Sequence, residues 1–228
     1  MVYSWHQQQW QDLCNRIESQ SLPHALLLSG PTGVGKLDFA LQLGYLLMCE
    51  RQGQHPCGEC QGCRLMRAGT HPDYRRISPE EGSKDIKIDQ VRELARFLGL
   101  SAQYGRNKVA VIEPAERMNR NAANSLLKTL EEPPQGSCLV LVTSQPSLLP
   151  ATVRSRTQLV SFSLPDRDEA MAWIESQVSR ADAPLLLSLG EFAPLESLKL
   201  ADDDLLAHRK ELYSSIQALL TGKLDPLK

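Results

Sequence analysis

Three features of this 228-residue sequence predict an α/β protein, a parallel sheet flanked by helices. The apolar runs Ala25–Leu28, Val109–Ile112 and Leu139–Val142 have the length and composition of strands buried on both faces. Apolar residues recur at helical spacing in the segments between them. The first run leads into Gly30-Pro31-Thr32-Gly33-Val34-Gly35-Lys36, a glycine pattern that cradles phosphate where a strand turns into a helix.

The elements follow in order. Trp10, Leu13, Cys14 and Ile17 mark a helix over residues 5 to 19, and Phe39, Ala40, Leu43, Leu46 and Leu47 mark the helix that the glycine loop opens. Residues 50 to 63 read as a cysteine-rich loop, Asp73–Ile77 as a strand, and Asp89 as the N-cap of a helix Gln90–Leu98. A helix over residues 117 to 131 stops at Pro133-Pro134, which cannot continue its hydrogen-bond ladder. Gln158–Phe162 is the last expected strand. Beyond Pro165 the strand-like runs end, and Ala170, Met171, Trp173, Ile174 and Val178 begin a set of short helices, the last over residues 203 to 220. The expected organisation is a nucleotide-binding-type domain over 1–164 and a small helical domain over 165–205.

Composition narrows the function. A formal charge of -2 argues against a protein whose main task is to coat DNA, since such domains are strongly basic. No run approaches the roughly 18 apolar residues of a membrane span, and the first residues lack the basic and apolar pattern of a secretory signal. A reducing, cytoplasmic setting is therefore expected, where clustered cysteines are metal ligands before they are disulfides. Cys57, Cys60 and Cys63 are spaced two residues apart with glycines between them, and Cys49 completes a set of four. Four thiolates suit tetrahedral zinc, with an iron–sulfur centre as the lesser alternative, and they leave zinc no open position for a substrate, so the expected ion is structural. Cys14 and Cys138 stand alone among apolar neighbours and read as core residues.

The glycine loop departs from its pattern at one position. Its lysine should be followed by Ser or Thr, whose hydroxyl holds magnesium. Leu37 stands there instead, and a hydrocarbon cannot ligate a hard cation. Gly30, Gly33, Gly35 and Lys36 still form an anion cradle, so the loop either binds nucleotide weakly or conditionally, or persists as packing between strand and helix. Phosphate-loop ATPases also carry an acid at the end of a neighbouring strand, followed in many by a water-polarising glutamate. Here the strand ends Glu113-Pro114-Ala115-Glu116, so Glu113 is the candidate acid and Pro114 supplies none. Glu116 could reach back toward the site, though Pro114 and one helical step oppose it, and the competing reading makes Glu113 and Glu116 solvated charges. Thr143, ending the Leu139–Val142 run, is a candidate polar sensor of nucleotide.

Several segments together resemble one family. His24-Ala25-Leu26-Leu27-Leu28, the four cysteines, Ala68-Gly69-Thr70-His71-Pro72-Asp73, the helix Asn121–Glu131 with its Glu132-Pro133-Pro134 stop, and Arg154-Ser155-Arg156-Thr157 are similar to the delta prime family of bacterial clamp-loader subunits, within the AAA+ proteins. The resemblance spans about residues 1 to 205. It implies an AAA+ sheet domain with an inserted zinc module at 49–63, a helical lid, and a third, collar domain beginning at about 206 and cut short. Ser155-Arg156-Thr157 occupies the place of a Ser-Arg-Cys motif, which implies that Arg156 is an arginine finger acting in a neighbouring subunit's ATP site. The lid region 188–195 contains no nucleotide-sensing arginine, a third departure beside Leu37 and Pro114. The implied role is a structural subunit with little or no hydrolysis of its own. Its implied partners are the gamma/tau ATPase subunits, the delta subunit, the sliding clamp and primer-template DNA. An active ATPase subunit of the same type is the alternative.

Overall fold

The structure, a computed structural model, describes residues 2–51, 53–104, 107–202, 212, 215–217 and 221. The chain divides into two compact units, Met1–Pro31 with Gly35–Ser163, and Thr32–Val34 with Leu164–Lys228.

In the first unit, five strands form one parallel sheet: β1 (Ala25–Ser29), β2 (Tyr74–Ile77), β3 (Lys108–Ile112), β4 (Ser137–Thr143) and β5 (Gln158–Ser161), in the order β2-β3-β4-β1-β5. Parallel neighbours require crossovers, and helices supply them: α1 (Gln7–Glu18) precedes β1, and α2 (Lys36–Met48), α3 (Gln61–Arg67), α4 (Ile88–Gly99), α5 (Arg120–Glu131) and α6 (Ala151–Arg154) fill the connections. Side chains alternate across each strand. Ala25, Leu27, Ala110, Ile112, Leu139 and Leu141 face α4 and α5 through Val91, Leu94, Leu98, Ala122, Leu126 and Leu130. The alternate residues Leu26, Leu28, Val109, Val111, Val140 and Val142 are also buried, and α2 packs on β1, β3 and β4. Both faces are therefore covered, as the unbroken apolar runs predict. Cys14 and Cys138 are core residues.

The N-cap expectation fails at α4. The helix begins at Ile88 with Lys87 as its N-cap, and Asp89 lies in the first turn. The Gln90 Oε1 accepts the Lys87 N–H (2.9 Å), so the reach-back from the third helical position fixes this end. At α5 the expected start at 117 also shifts: Ala115–Arg117 forms a short 3-10 turn, and Asn119 caps the helix by accepting the Ala122 N–H (2.9 Å).

A buried ion pair lies in this unit. Asp73, fully buried, accepts the N–H groups of Gln103 (2.9 Å) and Tyr104 (2.8 Å) and pairs with Lys108 Nζ (3.2 Å). Lys108, 4% exposed, also lies 4.2 Å over the Phe97 ring. Burial alone would raise the Asp73 pKa, but the Tyr104 and Gln103 N–H groups and the Lys108 ammonium outweigh it and hold the carboxyl below its ordinary range.

The second unit contains α7 (Arg167–Glu175), α8 (Ala183–Leu189) and α9 (Pro194–Asp202), closed around Ala170, Ile174, Ala183 and Leu187. The helix expected over 203–220 and the segment 206–228 lie largely outside the described residues. Among the described residues, no helix is long and apolar enough to cross a membrane.

Candidate functional site

In open parallel sheets, ligands bind beyond the carboxyl ends of the strands, at the place where strand order reverses. Four chemistry-bearing segments of the first unit meet at that edge. Ser29 of β1 is in register with Thr143 of β4 and Ser161 of β5, while Ile112 of β3 pairs with Leu141 of β4. Gly30 and Pro31 at the start of the phosphate loop, Glu113 and Glu116, Thr143 and Ser144, and Phe162 therefore leave the sheet together.

The loop begins at a close approach. A β-carbon on Gly30 would fall 2.2 Å from the Phe162 carbonyl oxygen, so no larger residue fits. Gly35, at φ 93°, caps α2, with the Tyr3 ring lying against it. The Tyr3 hydroxyl donates to Asp38 Oδ2 (3.1 Å) in the first turn of that helix. His6 is buried between Phe162 (ring centroids 4.7 Å) and Phe39 (5.8 Å), and neither ring nitrogen has a hydrogen-bond partner. Burial, followed by the Lys36 charge, lowers its pKa to about 4, so the ring is neutral near pH 7. The crest Thr32–Val34 belongs to the second unit, where the Gly33 carbonyl accepts the Leu195 N–H (2.9 Å) at the start of α9.

Lys36 is only 5% exposed. Its ammonium donates to the Pro31 carbonyl and to Ser144 Oγ (3.1 Å). Burial lowers its pKa to about 8, against the opposing pull of Glu116 and Glu113. Leu37 follows it in α2 and offers no oxygen.

The two glutamates have different fates. Glu113 forms an ion pair with Arg76 (2.9 Å), joining the ends of β3 and β2. Glu116 is not a solvated charge: the turn Ala115–Arg117 carries it back to the sheet edge, where its Oε1 accepts the Ser144 N–H (3.1 Å). Its Oε2 is buried without a partner. Thr143 is buried, and its hydroxyl accepts the Gln145 N–H (3.1 Å), so the hydroxyl that touches Lys36 belongs to Ser144. The sequence allows a return of Glu116 but speaks against it, because Pro114 and the step after it stand between, and it gives no sign of the Ser144 contact.

The cysteines converge. The Sγ atoms of Cys49, Cys57, Cys60 and Cys63 all lie within 4.8 Å of one another. The Cys57–Cys63 and Cys49–Cys60 sulfur separations are 4.0 and 3.9 Å. Four thiolates around one zinc at about 2.3 Å would stand roughly 3.8 Å apart, so the donor set fits such an ion with little movement. Cys49 ends α2 and Cys60 caps α3, accepting the Cys63 N–H (3.4 Å). The Gly62 N–H donates to Glu50 Oε1 (3.0 Å), and a β-carbon on Gly62 would meet the Met48 carbonyl at 2.1 Å. Trp10 of α1 ties the module to the body by donating to the Gln54 carbonyl (2.9 Å).

Arg156 lies away from this chain's own phosphate loop in sequence, between α6 and β5. Its guanidinium donates to the Thr152 carbonyl (3.0 Å) and pairs with Glu131 Oε1 (2.7 Å) at the end of α5. Arg156 is 37% exposed and Glu131 52%. Arg154 is exposed as well.

Known proteins are similar to this chain in sequence and in fold. Residues 5–166 match the family described as DNA polymerase III, delta subunit. The delta' subunit of DNA polymerase III from Pseudomonas aeruginosa is 39% identical over 227 residues, covering 98% of this chain and 68% of the relative. The delta' subunit from Escherichia coli K12 is 36% identical over 217 residues, covering 94% and 65%. The chain thus spans about two thirds of the length of these relatives. Among solved structures, a DNA polymerase III gamma subunit-related protein of Thermotoga maritima superposes with a TM-score of 0.56 at 23% identity, covering 84% of this chain and 58% of that one. The RuvB Holliday junction branch migration motor of the same organism gives 0.56 at 17%, covering 90% and 62%. At these identities the structural likeness establishes the fold alone.

Proposed function

The chain belongs to the DNA polymerase III delta' subunit family, and from that premise we propose that it is a structural subunit of the clamp loader, supporting ATP-driven loading of the sliding clamp onto primed DNA. Its partners in this reading are the gamma/tau ATPase subunits, the delta subunit, the clamp and primer-template DNA. A tau/gamma subunit from Haemophilus influenzae, 31% identical over 223 residues, supports kinship with the ATPase components. Arg156 acts in a neighbour's ATP site, where a planar, permanently charged fork spreads positive charge over phosphate oxygens. The observation that carries the reading is the state of this chain's own site: Leu37 replaces the magnesium-binding hydroxyl, Pro114 removes the second acid, and Glu113 is held by Arg76.

The test is turnover with and without partners. The purified chain should hydrolyse ATP no faster than buffer, while adding it to the ATPase and delta subunits should raise their clamp- and DNA-stimulated turnover. Turnover by the chain alone that disappears in Lys36→Ala would instead establish the second reading, an active ATPase subunit.

The four-cysteine cluster holds structural zinc in this proposal. Protein purified under reducing conditions should carry about one zinc per chain. Cys60→Ser should lose the metal and open the module to proteolysis between Cys49 and Cys63, without unfolding the sheet. Metal analysis and limited proteolysis check both, and intact resistance in metal-free protein would remove the assignment.

A further inference from the structure

The four thiols come from two stretches of chain joined only by a loop. Cys49 ends α2, while Cys57, Cys60 and Cys63 lie just before and within the start of α3. Two charged side chains that follow Cys49 reach across to the second stretch: Glu50 Oε1 accepts the Gly62 N–H (3.0 Å), and Arg51 pairs with Glu59 (3.2 Å). These links are not equal. Arg51 and Glu59 are 63% and 74% exposed, and an ion pair that open to water contributes little. Gly62 is buried, and at the second position of α3 its N–H has no carbonyl of the helix to meet. A carboxylate makes the stronger kind of hydrogen bond there, and without it a buried donor would go unpaired.

The place of this contact matters as much as its strength. Glu50 is the neighbour of Cys49 in the chain, and Gly62 is the neighbour of Cys63. One hydrogen bond therefore ties the first thiol to the last. The Gly62 backbone also sits so close to the Met48 carbonyl that a β-carbon would meet it at 2.1 Å, which seats the start of α3 against the end of α2. We propose that Glu50 is a positioning residue of the metal centre, holding Cys63 in reach of Cys49 so that the four sulfurs are assembled before the ion arrives. The inference rests on the structural-zinc reading above. What Glu50 supplies is an acceptor at a fixed place and not its charge, since four thiolates already outweigh the charge of one zinc ion.

The experiment equilibrates the full chain and its variants with chelator-buffered zinc, under a reductant that is not a thiol, and measures bound zinc. Glu50→Ala should weaken zinc binding about 10- to 100-fold, the scale on which the outer partners of metal ligands act. Glu50→Gln keeps an acceptor oxygen and should stay within about threefold of wild type. Arg51→Ala should do the same. With cobalt in place of zinc, Glu50→Ala should keep the absorption of a tetrahedral four-thiolate ion, because Glu50 is not itself a ligand. Wild-type affinity in Glu50→Ala overturns the inference and leaves the zinc reading standing. So does a loss in Glu50→Gln or Arg51→Ala as deep as that in Glu50→Ala, or a cobalt spectrum altered by Glu50→Ala. A wild-type chain that takes up no zinc overturns both.

Discussion

Replacing Arg156 by alanine is expected to lower ATP turnover by the reconstituted assembly about 10³-fold or more, the scale on which an arginine supplied in trans acts on phosphoryl transfer. The same change should hardly affect the isolated chain. The ion pair of Arg156 with Glu131 is short (2.7 Å), but its side chains are 37% and 52% exposed, and such pairs contribute about 0–1 kcal/mol. A shift of no more than a few degrees in melting temperature should follow. Arg156→Lys separates charge from shape. Lysine keeps the charge but loses the fork that Thr152 and Glu131 now anchor, so it should recover only a minor part of the turnover. Turnover of the Arg156→Ala assembly within about threefold of wild type, with the subunit shown to be incorporated, would refute the assignment.

The legible parts of this molecule were those whose signal is local. The apolar runs of β1, β3 and β4 declared strands buried on both faces, because nothing along them needed water. The zinc-like cluster was legible because all four ligands lie between residues 49 and 63, within one loop and the start of one helix. Arg156 was different: its residue type and spacing said nothing, and only family resemblance singled it out. What the sequence weighed too lightly or did not show was the chemistry made by strand order. Glu116 reaches Ser144, 28 residues away, because β3 and β4 are neighbours and the turn after β3 points the carboxylate back across their ends. His6 lies in a 3-10 turn just ahead of α1, at the start of the helix expected over 5 to 19, and its burial between Phe39 and Phe162 depends on α2 and the end of β5 arriving beside it. The Asp89 error has another origin. Asp is a frequent N-cap, but a frequency cannot tell whether the reach-back from Gln90 has already fixed the helix start two residues earlier.

Asp73→Asn should be among the most damaging single substitutions in the sheet unit, costing about 3–5 kcal/mol at neutral pH. The change leaves Lys108, 4% exposed, without its counter-charge, and Asn cannot match a carboxylate that accepts from Gln103, Tyr104 and Lys108 together. The Phe97 ring, 4.2 Å from the ammonium, replaces only part of the lost attraction. Pairing the change with Lys108→Met should recover much of the loss, since an apolar side chain there needs no partner. The sign of the pH effect follows from the folded carboxyl titrating below its unfolded value. Its contribution is full above the unfolded Asp pKa of about 3.9 and is lost as pH falls through the lower, folded one. The stability gap between wild type and Asp73→Asn should therefore hold from neutral pH to about 4 and narrow below it. Urea unfolding of the two proteins at matched pH measures the gap, and any acid-induced loss of metal enters both arms alike. A gap under about 1 kcal/mol at neutral pH, or no recovery in the double variant, would mean that the buried pair is not what holds the segment before β3 against β2.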